Sequence, residues 1–233
     1  MRRCIVTTSW DDGHKLDLRL AALLRNYRVS ATFYVSPDTR EIPQRKRLSI
    51  PELNDIANEF EVGAHTLTHP RLPELSDAEA QREIGESKEV LECHLGRSVT
   101  SFCYPGGAYN ERHIRMVETA GFRLARTVRQ FVTEPDIPLE LGTTIHAFSH
   151  PSAALRIAKL ASYNPPRALR YARWDGLAVA LFDRVKERGG VFHLWGHSWE
   201  IDQRGEWERL KHVLDYVGGR SDVEYATNAQ LVT

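Results

Sequence analysis

The chain has 233 residues, with 31 Lys plus Arg balanced by 31 Asp plus Glu, and 42% of its residues are hydrophobic. Balanced charge excludes the bulk basic field that drives nucleic-acid binding, and the length fits one large domain. No apolar run is long enough to span a bilayer. Between Met1-Arg2-Arg3 and polar Thr7-Thr8-Ser9 there is no apolar h-region, so the sequence predicts a cytoplasmic protein without an export signal. Cys4, Cys93 and Cys103 are odd in number and widely spaced, which predicts reduced thiols rather than a disulfide framework.

In chain order, β-branched Ile5, Val6, Thr7 and Thr8 predict a buried strand ending at Asp11-Asp12-Gly13. The two adjacent carboxylates serve either as metal ligand plus base, or as the N-cap of a helix starting near Lys15. Leu16, Leu18, Leu20, Ala21, Leu23 and Leu24 give a helical stripe to Tyr27, and 31–35 is a second strand. The loop 37–50 carries Arg40, Arg45, Lys46 and Arg47, a solvated segment or an anion-accepting rim. A helix opens at Ser49–Pro51, and 61–64 is a short strand followed by His65-Thr66-Leu67-Thr68-His69-Pro70. Ser76 and Glu79 form a capping box on a helix closed by Gly96.

Further strands are expected at 99–103 and 122–127, flanking a helix capped by Asn110. Tyr104-Pro105-Gly106-Gly107 is a turn that can expose backbone N–H groups, and Arg123 and Arg126 look buried. Residues 128–175 read as an insertion, broken by Pro135, Pro138 and Gly142, with a strand end at 143–146 and a helix at 152–161. A helix then runs from Trp174 or Asp175 to Arg188 and a strand from Val191 to His197, with His193, Trp195 and His197 on one face. A helix over 205–217 and a strand over 223–226 end the chain. Roughly seven strands alternating with helices predict a single α/β domain, residues 1–233, built as a closed or nearly closed barrel with function at the carboxyl strand ends.

Two histidines four apart meet on one side of a helical turn, and neutral imidazole is a common metal donor. With Asp12, His65 and His69 supply two imidazoles and one carboxylate, the donor set of catalytic Zn²⁺ and of Fe(II) facial triads. Asp11 beside them could take a proton from a metal-bound water, and His197 could protonate a leaving group, which suits amide or ester hydrolysis.

These residues resemble the polysaccharide deacetylases of the NodB-homology type, carbohydrate esterase family four. The family's Thr-Phe-Asp-Asp-Gly motif is similar to Ser9-Trp10-Asp11-Asp12-Gly13, and its His-Ser/Thr-x-x-His motif to His65–His69. The resemblance implies a distorted (β/α)₇ barrel that removes N-acetyl groups from sugars, with Asp11 as base and Asp12, His65 and His69 as ligands. The third motif, Arg-x-Pro-x-Gly, is kept only in part at 103–107, which implies the Gly106 N–H as oxyanion donor and leaves Cys103 where the base-orienting arginine belongs. Arg126 is the expected replacement, and His197 the expected acid, with His193 as the fallback. The implied cofactor is a divalent metal, Zn²⁺ before Co²⁺, Ni²⁺ or Fe²⁺. The implied partner is an N-acylated sugar, nucleotide-sugar or glycoside. Two alternatives stand beside this one: an allantoinase-like amidohydrolase acting on a small non-sugar amide, and a silent sugar-binding domain.

Overall fold

The computed structural model describes residues 3–134, 137–149 and 154–232. Among them are eight strands: β1 (Cys4–Asp11), β2 (Ala31–Val35), β3 (Glu61–Ala64), β4 (Ser101–Cys103), β5 (Leu124–Arg126), β6 (Ile145–His146), β7 (Gly190–Gly196) and β8 (Glu224–Tyr225). The helices around them are α1 (Asp17–Tyr27), α2 (Ile50–Ala57), α3 (Asp77–Leu95), α4 (Glu111–Thr119), α5 (Ala154–Leu160), α6 (Pro165–Tyr171), α7 (Trp174–Arg188), α8 (Ser198–Gln203) and α9 (Trp207–Val217). Pro135, one of the expected chain breakers, and Ser152, the expected start of the helix that is seen as α5, lie outside the described residues.

All pairings between the strands are parallel, in the order β5-β4-β3-β2-β1-β7-β6. A sheet of this kind needs cover on both faces, so its strands read as nearly continuous buried runs. β1 is the clearest case, with one half-exposed residue in eight. One edge of β1 is shared. Ile5 and Val6 pair with β8, and Thr8–Asp11 pair with β2. The ring closes through a thin seam, where Leu141 bridges Arg126 on one side and the Thr144 N–H donates to His193 O at 3.1 Å on the other. The result is the expected distorted α/β barrel.

Part of the interior is filled by a polar plug. Asn228, in the turn after β8, is fully buried. Its Nδ2 donates to Tyr34 Oη at 2.9 Å, and its Oδ1 accepts from Thr7 Oγ1 at 3.0 Å and from Arg126 Nη2 at 2.6 Å. Tyr34 can cross the barrel only because Gly63 faces it. A Cβ at Gly63 would sit 2.4 Å from Tyr34 Cε1, well inside van der Waals contact.

Three local expectations are corrected. The segment from His65 to His69 is a bend, not a helical turn, with Thr66 and His69 in left-handed conformations at φ 63° and 67°. Neither Asp11 nor Asp12 caps α1, which begins at Asp17 behind Leu16 without a side-chain cap. Arg123 is exposed, although Arg126 is buried. The Ser76–Glu79 capping box and the left-handed Gly96 at the end of α3 are present as expected. No helix of the described residues is long and apolar enough to cross a membrane. Cys4, Cys93 and Cys103 are free thiols.

Candidate functional site

The carboxyl ends of the parallel strands place the candidate residues around one mouth. In β1 the side chains alternate faces, so Asp11 lies on the inward face with Thr7 and Ser9. Continued extension would send Asp12 to the opposite face. Instead Asp12 turns left-handed at φ 87°, followed by Gly13 at φ 72°, and both carboxylates stay at the mouth. A non-glycine residue in this region carries strain that the surrounding fold must hold, and such strain concentrates at functional sites. Gly13 is also packed close: a Cβ there would lie 2.8 Å from Val35 Cγ1.

Asp12 Oδ1 is 3.7 Å from His65 Nε2 and 3.4 Å from His69 Nε2, and the two Nε2 atoms are 3.2 Å apart. The His65 tautomer follows from what the ring does on its far side. His65 Nδ1 is 2.8 Å from Cys103 O, and a carbonyl can only accept, so Nδ1 carries the proton and Nε2 offers a lone pair. His69 Nδ1 lies 3.0 Å from Glu41 Oε2, a close contact that lacks hydrogen-bond geometry. Asp12 Oδ1 is buried without a hydrogen-bond partner, while Oδ2 accepts from Trp199 Nε1 at 2.8 Å. Three donor atoms thus converge, and Asp12 and His65 are each oriented from behind by a hydrogen bond. That donor set fits a divalent cation.

Electrostatics agree with the geometry. Burial and the neighbouring His69 push His65 down to about 3, so it is neutral at ordinary pH. Burial disfavours the Asp12 anion, but His197, His65, His69 and the Trp199 N–H outweigh it and hold Asp12 below the usual carboxylate range. Asp11 differs. Burial, together with the adjacent Asp12, raises it to about 7 despite His197 and Cys103. Two neighbouring carboxylates are therefore split into a permanent anion and a group poised near neutrality.

Asp11 Oδ2 has Cys103 Sγ at 3.5 Å, and Oδ1 has no hydrogen-bond partner. Asp11, His65 and Cys103 also fall within 4.8 Å of one another, but burial holds the Cys103 thiol well above its ordinary range, and a protonated thiol is a poor ligand. The expectation that Arg126 orients Asp11 is not met. Arg126 donates to Gly142 O at 2.5 Å and to Asn228 Oδ1 at 2.6 Å, so the guanidinium serves the interior plug.

Between the two candidate acids the geometry discriminates. His193 is buried along β7 with Nδ1 2.9 Å from Thr143 Oγ1, and burial beside Arg126 holds it neutral. His197 lies past the strand end, with Nε2 3.9 Å from Asp12 Oδ2 and Nδ1 3.4 Å from Glu200 Oε2. Burial lowers its basicity, but Glu200, Asp12 and Asp11 reverse this and raise it to about 9. Gly106 lies in the exposed turn after β4 at φ 58°, with Arg71 alongside. Of the basic loop, Arg47 is turned inward onto Ile42 O at 2.7 Å, and Arg40, Arg45 and Lys46 are exposed.

The sequence reading missed three residues: Glu41 behind His69, Trp199 behind Asp12 and Glu200 behind His197. The last two lie on α8, a short helix not foreseen. Trp199→Phe is expected to keep the fold and weaken divalent-cation affinity about 10–100-fold, because the indole N–H no longer fixes Asp12 Oδ2. Equilibrium dialysis against Zn²⁺ measures it, and unchanged affinity would make that hydrogen bond incidental.

An inward-facing carboxylate pair and two imidazoles at the strand ends of a distorted (β/α)₇ barrel define the class of fold and site. The sequence profile of the polysaccharide deacetylase family matches residues 2–125, just over half of the chain, and the chain belongs to that family. It is similar to YxkH of Bacillus subtilis (strain 168), assigned by name to the polysaccharide deacetylases, with 26% identity over 135 residues. That match covers 57% of this chain and 46% of YxkH, so the chain spans just under half of this curated relative. Among solved structures, a Mycobacterium smegmatis protein, named as a polysaccharide deacetylase, superposes with a TM-score of 0.71 over 99% of this chain and 89% of that one, at 18% identity. The Streptococcus pyogenes deacetylase PplD in complex with acetate gives a TM-score of 0.54 at 21% identity, covering 57% of this chain and 61% of that one.

Proposed function

We propose that this protein is a divalent-cation-dependent hydrolase that removes an N-acetyl group from a sugar or glycoconjugate. The observation that carries this reading is the convergence of Asp12 Oδ1, His65 Nε2 and His69 Nε2 beside a second carboxylate and opposite a charged imidazole. Asp12, His65 and His69 would hold the cation, most simply Zn²⁺. Bound there, it supplies Lewis acidity to the acyl oxygen and lowers the pKa of water.

The remaining work falls to the chain's own groups. Asp11 Oδ1, free of hydrogen bonds, accepts the proton of the attacking water as the new C–O bond forms. The Gly106 N–H is the proposed donor to the oxyanion, from a turn that glycine allows at positive φ. His197, kept protonated by Glu200, gives its proton to the departing nitrogen as the C–N bond breaks. The products are acetate and a free amine, and the proton held by Asp11 returns to solvent or to His197.

Turnover is expected to follow a bell-shaped pH curve. It rises through about 7, because Asp11 must be deprotonated, and falls through about 9, because His197 must be protonated. A cation beside Asp12 favours the carboxylate anion and disfavours the imidazolium, so both limbs move to lower pH in the loaded protein. A flat profile across this range would remove the acid–base pair from the account.

The test of the reading as a whole is acetate release. A panel of N-acetylhexosamine glycosides, nucleotide-sugars and oligosaccharides is scored with Zn²⁺ and with chelator. Cation-dependent acetate release supports the proposal. Ammonia or ureide release from a small cyclic amide, with no acetate from any sugar, would replace it. Sugar binding by the cation-loaded protein without acyl release would reduce it to a binding domain.

A further inference from the structure

A second group of donors lies beside the first. His146 ends β6, His197 follows β7, and Glu200 sits on α8, with one ligand atom from each within 4.8 Å of the others. Glu200 Oε2 is 3.3 Å from His146 Nε2 and 3.4 Å from His197 Nδ1. Charge-assisted hydrogen bonds settle near about 2.7–2.9 Å, so both gaps are long for that purpose. Four donors held at about 2.0–2.1 Å around a tetrahedral ion stand about 3.4 Å apart, and both gaps match that edge. The Asp12, His65 and His69 donors are spaced in the same way, at 3.2, 3.4 and 3.7 Å. The His146 ring is stacked on Trp195, with centroids 3.9 Å apart and planes 11° off parallel, which fixes its orientation.

We propose that His146, His197 and Glu200 form a second divalent-cation site, and that filling it withdraws His197 from proton delivery. The inhibitory part rests on the reading of His197 as the acid; the site itself does not. To ligate through Nδ1, His197 must give up the imidazolium proton. The ring then keeps only Nε2–H, which is too weak an acid to protonate a leaving amine. The second site is the weaker one. It has one carboxylate, with Arg204 Nε 3.9 Å from its other oxygen, whereas the first has Asp12 with Asp11 alongside.

The experiment is equilibrium dialysis of the full chain against Zn²⁺, with acetate release followed over the same titration. The wild type is expected to bind two ions. Turnover rises with the first, then falls about 10²-fold as the second fills, the usual worth of a general acid. His146→Phe keeps a ring against Trp195 but removes the donor nitrogen. It is expected to bind one ion and to show no fall from its own one-ion rate, and His146→Ala provides the same comparison without the ring. A wild type that saturates at one ion overturns the proposal, as does a His146→Phe protein that still binds two or excess Zn²⁺ without inhibition. One ion with active turnover sinks the second site alone, whereas no bound ion at any concentration sinks the first centre too. Should neither variant fold, the wild-type stoichiometry decides.

Discussion

Replacing Asp12 with alanine is expected to eliminate cation binding at the first centre and to lower turnover by more than about 10³-fold, beyond the loss from a single oxyanion donor. Asp12 is the one anion among the three proposed ligands. Without it two imidazoles face each other 3.2 Å apart, and His65 cannot take on charge to compensate, since burial and His69 hold it down at about 3. The Trp199 N–H loses its acceptor as well. Residual affinity from two imidazoles alone would be too weak to survive dialysis. Metal content and turnover measured on the same sample check the prediction. A variant that retains one tightly bound ion and wild-type turnover would show that Asp12 is not a ligand.

Asp11→Asn is expected to behave in the opposite way towards the ion. The substitution preserves shape and removes the basic oxygen. It leaves Asp12, His65 and His69 in place, so the ion stays while turnover drops about 10²–10⁴-fold, the usual worth of a general base. The change should fall on kcat rather than KM, because Asp11 acts on the water and not on the substrate. The acid limb, which lies below about pH 7 in the ion-loaded protein, should vanish from whatever activity remains, since Asp11 is the group that burial raises to about 7 without the ion. Loss of the ion in this variant would mean that Asp11 is itself a ligand, and retained turnover would remove it as the base.

How much of this was legible in the sequence depended on how local each signal is. The strand before Asp11 and the strand before His65 could be placed because short strand-forming runs end in the residues proposed to do the chemistry. The strands at 31–35 and 61–64 match the observed β2 and β3. What the pattern could not carry was conformation at single residues. The spacing of His65 and His69 suits a helical turn, but two left-handed residues bring the same side chains together in a bend.

The role expected of Arg126 failed for a different reason. Its side-chain partner, Asn228, comes from the far end of the chain and is buried inside the barrel, and no local pattern marks that contact. Glu200 and Trp199 did leave a signal. Ser198-Trp199-Glu200 follows directly on a strand-end histidine, and an acidic residue three positions on lies over that histidine once a helix begins there. Glu41 left none, since one carboxylate in a charged loop has no period to read.

The proposed mechanism requires one cation held by Asp12, His65 and His69. Anomalous diffraction at the zinc edge, from crystals of the full chain given one equivalent of Zn²⁺, tests it most directly. The predicted result is one peak at about 2.0–2.2 Å from Asp12 Oδ1, His65 Nε2 and His69 Nε2. A well-ordered structure with no peak there, or with its first peak among His146, His197 and Glu200, would contradict it.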